Sequence, residues 1–282
     1  MWHRYEISPL RWGIKKIARH WVSHAGLALR SLSSRDKATI RVLTYHRFSS
    51  NVLDPVSVHP DAFAEQMRWL MQNVDILDPS RFHLVMSGAL PLEHPSVLIT
   101  IDDGHYSVYR HALPVMREWA IPAVLFVCPG LVESQGPRKF EFMSWDELRV
   151  AGSANILVGS HGYSHISLGR TSRGRALVEI DEAHEAIRQN LLLSPRYFSF
   201  PFGTVADCPQ HVVSALRSAG YSYIFSSSHG AIDPDRQPVL LPRIKLESAE
   251  SLTMFERIVR GGLDLWGSFD RYAATLQRRD RL

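Results

Sequence analysis

The chain has 282 residues, of which 45% are hydrophobic and 21% charged, so it is long enough to bury a core and is not a disordered chain. Its formal net charge of +4 is unevenly spread, because residues 1–41 carry +7 and the rest of the chain carries −3. The positive charge lies on one arm without aromatic residues interleaved along a groove, so we do not expect a nucleic-acid-binding protein.

The first predicted element is a helix in the basic arm, which we place at residues 1–38. Its apolar residues at helical spacing are Leu10, Ile14, Ile17 and Trp21. Its neighbouring basic residues are Arg11, Lys15, Lys16 and Arg19. Such a helix could lie on an anionic membrane surface, or it could pack on the domain with a solvated basic face. No segment has the apolar length of a spanning helix or the features of a signal peptide. We therefore expect a cytoplasmic protein that could be peripheral at the inner membrane face.

Residues 39–282 alternate between short apolar runs and helical patterns. The runs that predict strands are RVLTY, VLITI, AVLFV, NILVG, YFSFPF, YSYIFS and VLLPRIKL. Near-continuous apolar strands joined by helical crossovers are typical of a parallel sheet that is covered on its outer face. About seven such units predict an α/β fold in one domain, an irregular (β/α) barrel.

Four helices are predicted between these strands. The first covers residues 107–120, and the second opens on a capping box formed by Ser144 and Glu147. The fourth lies between Pro209 and Gly220, which suit the first turn and the end of a helix. The apolar face of the third helix is predicted to consist of Leu177, Ile180, Ile187 and Leu191.

Polar residues follow four of the strands, where a barrel carries its active site. They are Tyr45-His46, Asp102-Asp103-Gly104, Ser160-His161 and Pro201-Phe202-Gly203. Because parallel strands end at the same side of a barrel, we expect these residues to converge on one mouth.

Two histidines, His161 and His165, are separated by three residues that include Gly162, a spacing at which two imidazoles can share a metal ion. Asp103 would complete a site of two histidines and one carboxylate with open positions, as in catalytic zinc sites, while zinc remains only the preferred ion. Asp102 would then serve as a base toward a water molecule. Alone, Asp-Asp-Gly is more often a turn, and a histidine pair is common among 14 histidines. The joint occurrence at strand ends favours the metal site.

The cysteines Cys128 and Cys208 stand far apart and each alone, without C-x-x-C spacing. This pattern suggests neither a disulfide framework nor a thiolate zinc site, and we expect two buried thiols.

These residues resemble the polysaccharide deacetylase family, which shares the nodulation-type deacetylase (NodB) fold. The resemblance runs from about Val42 to Leu246. The matching blocks are RVLTYHRF, VLITIDDG, IPAVLFV, MSWDEL, GSHGYSH, FSFPFG, LRSAGY and LPRIKL. The resemblance implies a metal-dependent hydrolase that removes acetyl groups from an N-acetylated carbohydrate.

The resemblance also implies roles for individual residues. Asp102 matches the family's catalytic base, and Asp103, His161 and His165 match its metal ligands. Thr100-Ile101 stands where Thr-Phe is usual. Phe202 stands where the family has a tyrosine whose backbone N–H binds the oxyanion, and its own N–H can do the same.

Two departures from the family pattern affect the remaining roles. Ser199-Phe200-Pro201-Phe202 replaces an Arg-Pro-Pro-Tyr block, so the arginine that orients the base is missing, and Arg243 is a candidate to replace it. The C-terminal Leu-x-His block that supplies the general acid is absent. In branches with a similar LPRI ending an early histidine takes that role, which points to His46, although a structural histidine would fit there too. His105 could line the substrate groove.

Two alternatives stay open from the sequence. One is a hydrolase of cyclic ureides or imides on the same fold, and the other is a non-catalytic sugar-binding relative. The substrate is equally open among a polysaccharide, an oligosaccharide and a lipid-linked glycan.

Overall fold

A computed structural model describes residues 9–31, 38–51, 54–134, 141–267 and 270. The strands in these ranges are β1 Ile40–Tyr45, β2 Arg47–Phe48, β3 Ser57–Val58, β4 Asp75–Ile76, β5 Ser96–Ile101, β6 Ala123–Val127, β7 Ile156–Ser160, β8 Tyr197–Ser199, β9 Tyr223–Phe225 and β10 Ile244–Lys245. The helices are α1 Pro9–Ser31, α2 Pro60–Asn73, α3 Pro79–Met86, α4 Leu113–Glu118, α5 Pro129–Glu133, α6 Trp145–Gly152, α7 Arg173–Leu191, α8 Gln210–Ser218 and α9 Leu252–Val259.

The main sheet is the predicted parallel barrel, which the structure confirms. Within the described ranges seven parallel strands follow one another in the order β10-β1-β5-β6-β7-β8-β9, and β4 pairs with the start of β5. A single bridge between Phe225 and Leu241 links β9 to the segment that leads into β10. The sheet therefore curls far enough to gather the carboxyl ends of its strands.

The strands are apolar on both faces because both faces are packed. Residues such as Val42, Leu98 and Phe126 fill the inside of the barrel, where Phe82 of α3 covers the amino-terminal end of the strands. Their neighbours Leu43 and Ile99 face outward and pack under helices such as α2 and α9. Burial of this kind contributes about 25 cal/mol per Å² of apolar surface.

The crossover helices follow the sequence predictions with three differences. The capping box of Ser144 and Glu147 is present, and Pro209 lies immediately before α8 rather than in its first turn. Leu177 is exposed, so its predicted place in the buried face of α7 is wrong. That face is instead completed by Ala176, Glu179 and Ala183. The predicted helix at 107–120 is divided into a π-helical turn, Val108–Ala112, and α4.

Helix α1 packs on the barrel through basic residues, whereas a solvated basic face was one of the two predictions. Lys15 and Arg19 point inward, where they contact Glu247 and Glu250 just after β10, and the side chain of Arg19 is 1% exposed. A Cβ on Gly26 would lie 2.2 Å from the carbonyl oxygen of Gly262, so the helix backbone closely approaches the barrel at this glycine. The apolar side of α1 faces away from the protein.

In the described part of the chain, none of the helices has the length and apolar character needed to cross a bilayer. Cys128 and Cys208 are buried and free, as predicted.

Candidate active site

The polar residues predicted at the strand ends lie together at the carboxyl end of the barrel. His46 follows β1, Asp102 and Asp103 follow β5, and His161 follows β7. β1 and β5 are adjacent in the parallel sheet and only β6 separates β5 from β7, so the ends of these strands lie close together at one side of the barrel.

Asp103 lies at the centre of a three-residue cluster. Its Oδ1 is 3.4 Å from Nε2 of His161 and 3.2 Å from Nε2 of His165. The backbone of the Asp-Asp-Gly turn is left-handed at both Asp103, with φ of 75°, and Gly104, with φ of 67°. This turn aims the aspartate side chain back over the end of the barrel. One ligand atom from each residue of the cluster lies within 4.8 Å of the others.

The orientation of His161 decides what the cluster can hold. Its Nδ1 lies 2.7 Å from the carbonyl oxygen of Ser199, and because a carbonyl only accepts, Nδ1 must donate. In the neutral ring, Nε2 is then an unprotonated acceptor that faces the carboxylate of Asp103. Both carboxylate oxygens of Asp103 are buried without a hydrogen-bond donor. Acceptors that face one another in a buried site require a cation, so these residues fit a divalent metal ion.

The ionisation of the cluster agrees with that requirement. Burial alone would raise the pKa of Asp103, but His161 and His165 hold it well below its ordinary value. Burial opposes a charged imidazole at His165, yet Asp103 raises the pKa of this histidine. Asp103 is therefore ionised and attracts positive charge, whether a proton or a metal ion.

Asp102 is turned away from the cluster and is bound by Arg243. Arg243 Nη1 donates to Asp102 Oδ1 over 2.7 Å and Nη2 donates to Oδ2 over 2.8 Å. Both side chains are almost fully buried. Burial favours the neutral acid, but the charges of Arg243 and then His161 lower the pKa of Asp102 below its ordinary value. The nearest distance between the Asp102 carboxylate and Nε2 of His161 is 4.0 Å. Asp102 is thus an ionised carboxylate beside the cluster and outside it.

His46 is the third group at this mouth. Its Nε2 lies 3.9 Å from Oδ2 of Asp102, and its Nδ1 is buried without a hydrogen-bond partner. Burial lowers the pKa of His46 to about 4 despite the opposing charges of Asp102 and Asp103. The ring is therefore neutral at pH 7 and could donate a proton only after receiving one.

Two further residues named from the sequence lie at the rim. The ring of Phe202 packs 5.1 Å from that of His165, and its backbone is left-handed with φ of 63°. His105 Nδ1 lies 2.7 Å from the hydroxyl of Ser107 and also accepts the Ser107 backbone N–H. These bonds give His105 a structural part in the segment that precedes the π-helical turn Val108–Ala112, and its place in a groove stays a prediction.

The sequence and the fold of this chain are similar to those of known proteins. The polysaccharide deacetylase family profile matches residues 90–224. A poly-beta-1,6-N-acetyl-D-glucosamine N-deacetylase of Staphylococcus aureus is 23% identical over 248 residues, which cover 84% of this chain and 82% of that protein. The solved structure of IcaB from Ammonifex degensii has a TM-score of 0.69 and 25% identity, covering 80% of this chain and 98% of that one.

These matches support a polysaccharide deacetylase of the NodB type. The resemblance predicted from the sequence blocks is therefore confirmed, and the protein is a hydrolase that acts on a carbon–nitrogen bond. A deacetylase from Streptococcus pyogenes, PplD in complex with acetate, shares the same fold with a TM-score of 0.69, 18% identity and coverage of 79% of this chain and 98% of that one.

One residue that supports the candidate site was not predicted from the sequence. Glu179 of α7 is fully buried and accepts the backbone N–H groups of Tyr163 and Ser164, over 3.0 and 2.8 Å. It also accepts the hydroxyl of Ser164 and the guanidinium of Arg175. These bonds fix the turn between His161 and His165. The sequence feature that could have indicated Glu179 is its position directly before Ile180, on the apolar side of the predicted helix.

Proposed function

We propose that this hydrolase removes N-acetyl groups from an N-acetylated polysaccharide or oligosaccharide, with Asp103, His161 and His165 holding a divalent metal ion, preferably Zn²⁺. The carrying observation is the buried carboxylate of Asp103, which has two unpartnered oxygens and faces two imidazole nitrogens. The substrate class is supported by the Staphylococcus aureus relative, which is named as acting on poly-beta-1,6-N-acetyl-D-glucosamine.

The bound ion would lower the pKa of a water molecule toward ~7 and polarise the acetyl carbonyl. Asp102 is placed to take the proton of the attacking water, since it is ionised and lies beside the cluster without belonging to it. Arg243 holds both oxygens of Asp102, so the carboxylate is fixed before substrate arrives. The backbone N–H of Phe202 would stabilise the oxyanion of the tetrahedral intermediate, as the resemblance implies.

His46 would donate the proton that the departing amine requires. Its low pKa means that the ring begins neutral, so it must first receive a proton. Asp102, 3.9 Å from Nε2 of His46, is a nearby source of that proton after it has accepted one from water. The two residues would thereby pass a single proton from the water to the leaving group.

The test is acetate release from poly-β-1,6-linked N-acetylglucosamine oligomers after addition of Zn²⁺, compared with the variant Asp102→Asn. We expect turnover in the variant to fall by about 10²–10⁴-fold, the usual contribution of a general base, while metal content per chain is retained. Full activity of the variant would refute the assignment of the base.

The same assay separates the alternatives raised by the sequence. Ring opening of a cyclic ureide without acetate release would identify the other hydrolase class. Binding of the oligomers without any turnover would identify a non-catalytic relative. The absence of the family's usual arginine favours such a relative less, because Arg243 pairs with Asp102 in its place. A lipid-linked N-acetyl sugar can be tested as a further substrate in the same way.

A further inference from the structure

Helix α1 is amphipathic, and its polar side is the one attached to the protein. Lys15 Nζ lies 2.5 Å from Oε1 of Glu247, and Arg19 Nη2 lies 2.6 Å from Oε1 of Glu250. Arg19 also donates to the backbone carbonyl of Lys245 over 3.1 Å. Together with the close approach of Gly26 to Gly262, these buried contacts fix which side of the helix faces outward.

The outward side is an apolar stripe. Its members are Leu10, Ile14, Ile17 and Trp21, with exposed fractions of 75%, 59%, 62% and 69%. The spacing of four, three and four residues places them in one row about 16 Å long at 1.5 Å per residue. A surface helix ordinarily turns such a row toward its own core. Here the row is presented to the surroundings by a helix that is held firmly from behind.

The charge beside the stripe indicates what covers it. Helix α1 contains no acidic residue from Pro9 to Ser31. Arg11 lies exposed next to the stripe, and Lys16 lies over the ring of Trp12 at 4.3 Å. Its four cations between positions 11 and 19 outnumber the two carboxylates behind it, Glu247 and Glu250, which also attract Lys16, so this part of the helix keeps an excess of positive charge. An apolar row on a helix with an excess of positive charge is complementary to a bilayer surface with anionic headgroups.

A second copy of the chain fits this surface less well. Two α1 helices packed stripe to stripe would bring their cations together with no carboxylate on either helix to pair with them. Four side chains also offer much less than the roughly 800 Å² per partner of a standard protein interface. Trp21, in contrast, suits the boundary between headgroups and acyl chains.

We propose that α1 is a docking helix that binds an anionic lipid surface through Leu10, Ile14, Ile17 and Trp21. This inference is independent of the proposed reaction. Because α1 contacts the backbone of Lys245 and the acids just after β10, it lies at the carboxyl end of the strands, as the candidate active site does. A docked α1 would therefore hold the catalytic mouth near the membrane surface.

The experiment is sedimentation of the full chain with vesicles of phosphatidylcholine, with and without phosphatidylglycerol. We expect binding only to the anionic vesicles, weakened by added salt because the flanking cations contribute. The variants Ile14→Glu and Ile17→Glu should each weaken binding about tenfold or more, since each withholds one large apolar side chain from the lipid. The matched control is Leu192→Glu, which places the same charge on an exposed leucine at the end of α7. Thermal unfolding would establish that all three variants fold.

The proposal is overturned if the wild-type chain ignores anionic vesicles, or if both α1 variants bind them as the control does. Concentration-dependent dimerisation that Ile14→Glu abolishes would instead assign the stripe to a second copy. A monomer that binds neither vesicle would show that another part of the chain covers it. None of these outcomes bears on acetate release, so failure here is distinct from failure of the proposed function.

Discussion

The pair formed by Arg243 and Asp102 yields the most detailed prediction. Replacing Arg243 with Met removes the guanidinium from two hydrogen bonds of 2.7 and 2.8 Å and leaves Asp102 buried without its main countercharge. Breaking a buried ion pair by removing one partner costs about 3–5 kcal/mol. At about 2 °C per kcal/mol for a chain of this size, the melting temperature should fall by roughly 6–10 °C at pH 7.

The loss of stability in Arg243→Met should become smaller as the pH is lowered. The pKa of Asp102 is lowered in the folded protein, so its contribution to stability is complete above the unfolded pKa of about 3.9 and is lost as pH falls through the folded value. Without Arg243, burial raises this pKa. The acidic limb of kcat/KM should consequently move to higher pH, and the difference in melting temperature should shrink as the solution is acidified.

The assays are thermal unfolding and acetate release over a range of pH. Arg41→Met is a matched control, because Arg41 is a buried arginine that makes a comparable pair with Asp264, at the start of β1 rather than at its carboxyl end. The control should lose stability without moving the pH profile. If Arg243→Met had the same melting temperature as the wild type, the reasoning about the buried pair would be refuted. An unchanged pH profile would reduce Arg243 to a structural residue.

Three further predictions concern the site. His161→Ala should strip the metal ion, measured as metal per chain by elemental analysis, whereas the exposed His59→Ala should retain it; equal metal content in both would contradict the ligand assignment. His46→Ala should lower kcat by about 10²-fold or more with little change in KM, because proton donation to the amine is a step of turnover rather than of binding. A changed KM with kcat intact would exclude the acid role. Glu179→Gln should weaken metal binding about tenfold, the lower end of the range for residues that support ligands. Titration calorimetry with Zn²⁺ measures this affinity, and Glu182→Gln on the exposed side of α7 is the control. Identical affinities of the two variants would show that metal binding does not depend on the bonds of Glu179 to the turn between His161 and His165.

The sequence predicted the barrel and the members of the site for one physical reason. Parallel strands end at one side of a barrel, so polar residues after RVLTY, VLITI and NILVG had to meet. Helical spacing was less informative, because it tells which residues share a face and not which face is packed. Leu10 and Ile14 were placed on one side correctly, but their exposure depends on acids more than 230 positions away, such as Glu247. Glu179 was missed because its partners lie on a loop whose path only the folded chain defines.

The left-handed backbone at Asp103, His165 and Phe202 has an evolutionary consequence. An L-residue in this conformation costs roughly 1–2 kcal/mol, so the three positions together hold several kcal/mol of strain. Glycine or asparagine would relieve it, yet neither can supply the carboxylate of Asp103 or the imidazole of His165. Position 202 is different, because there the family resemblance assigns a role to the backbone alone. Selection for thermal stability would therefore favour glycine first at position 202, and the protein would lose the aromatic ring beside His165 before it lost a proposed metal ligand.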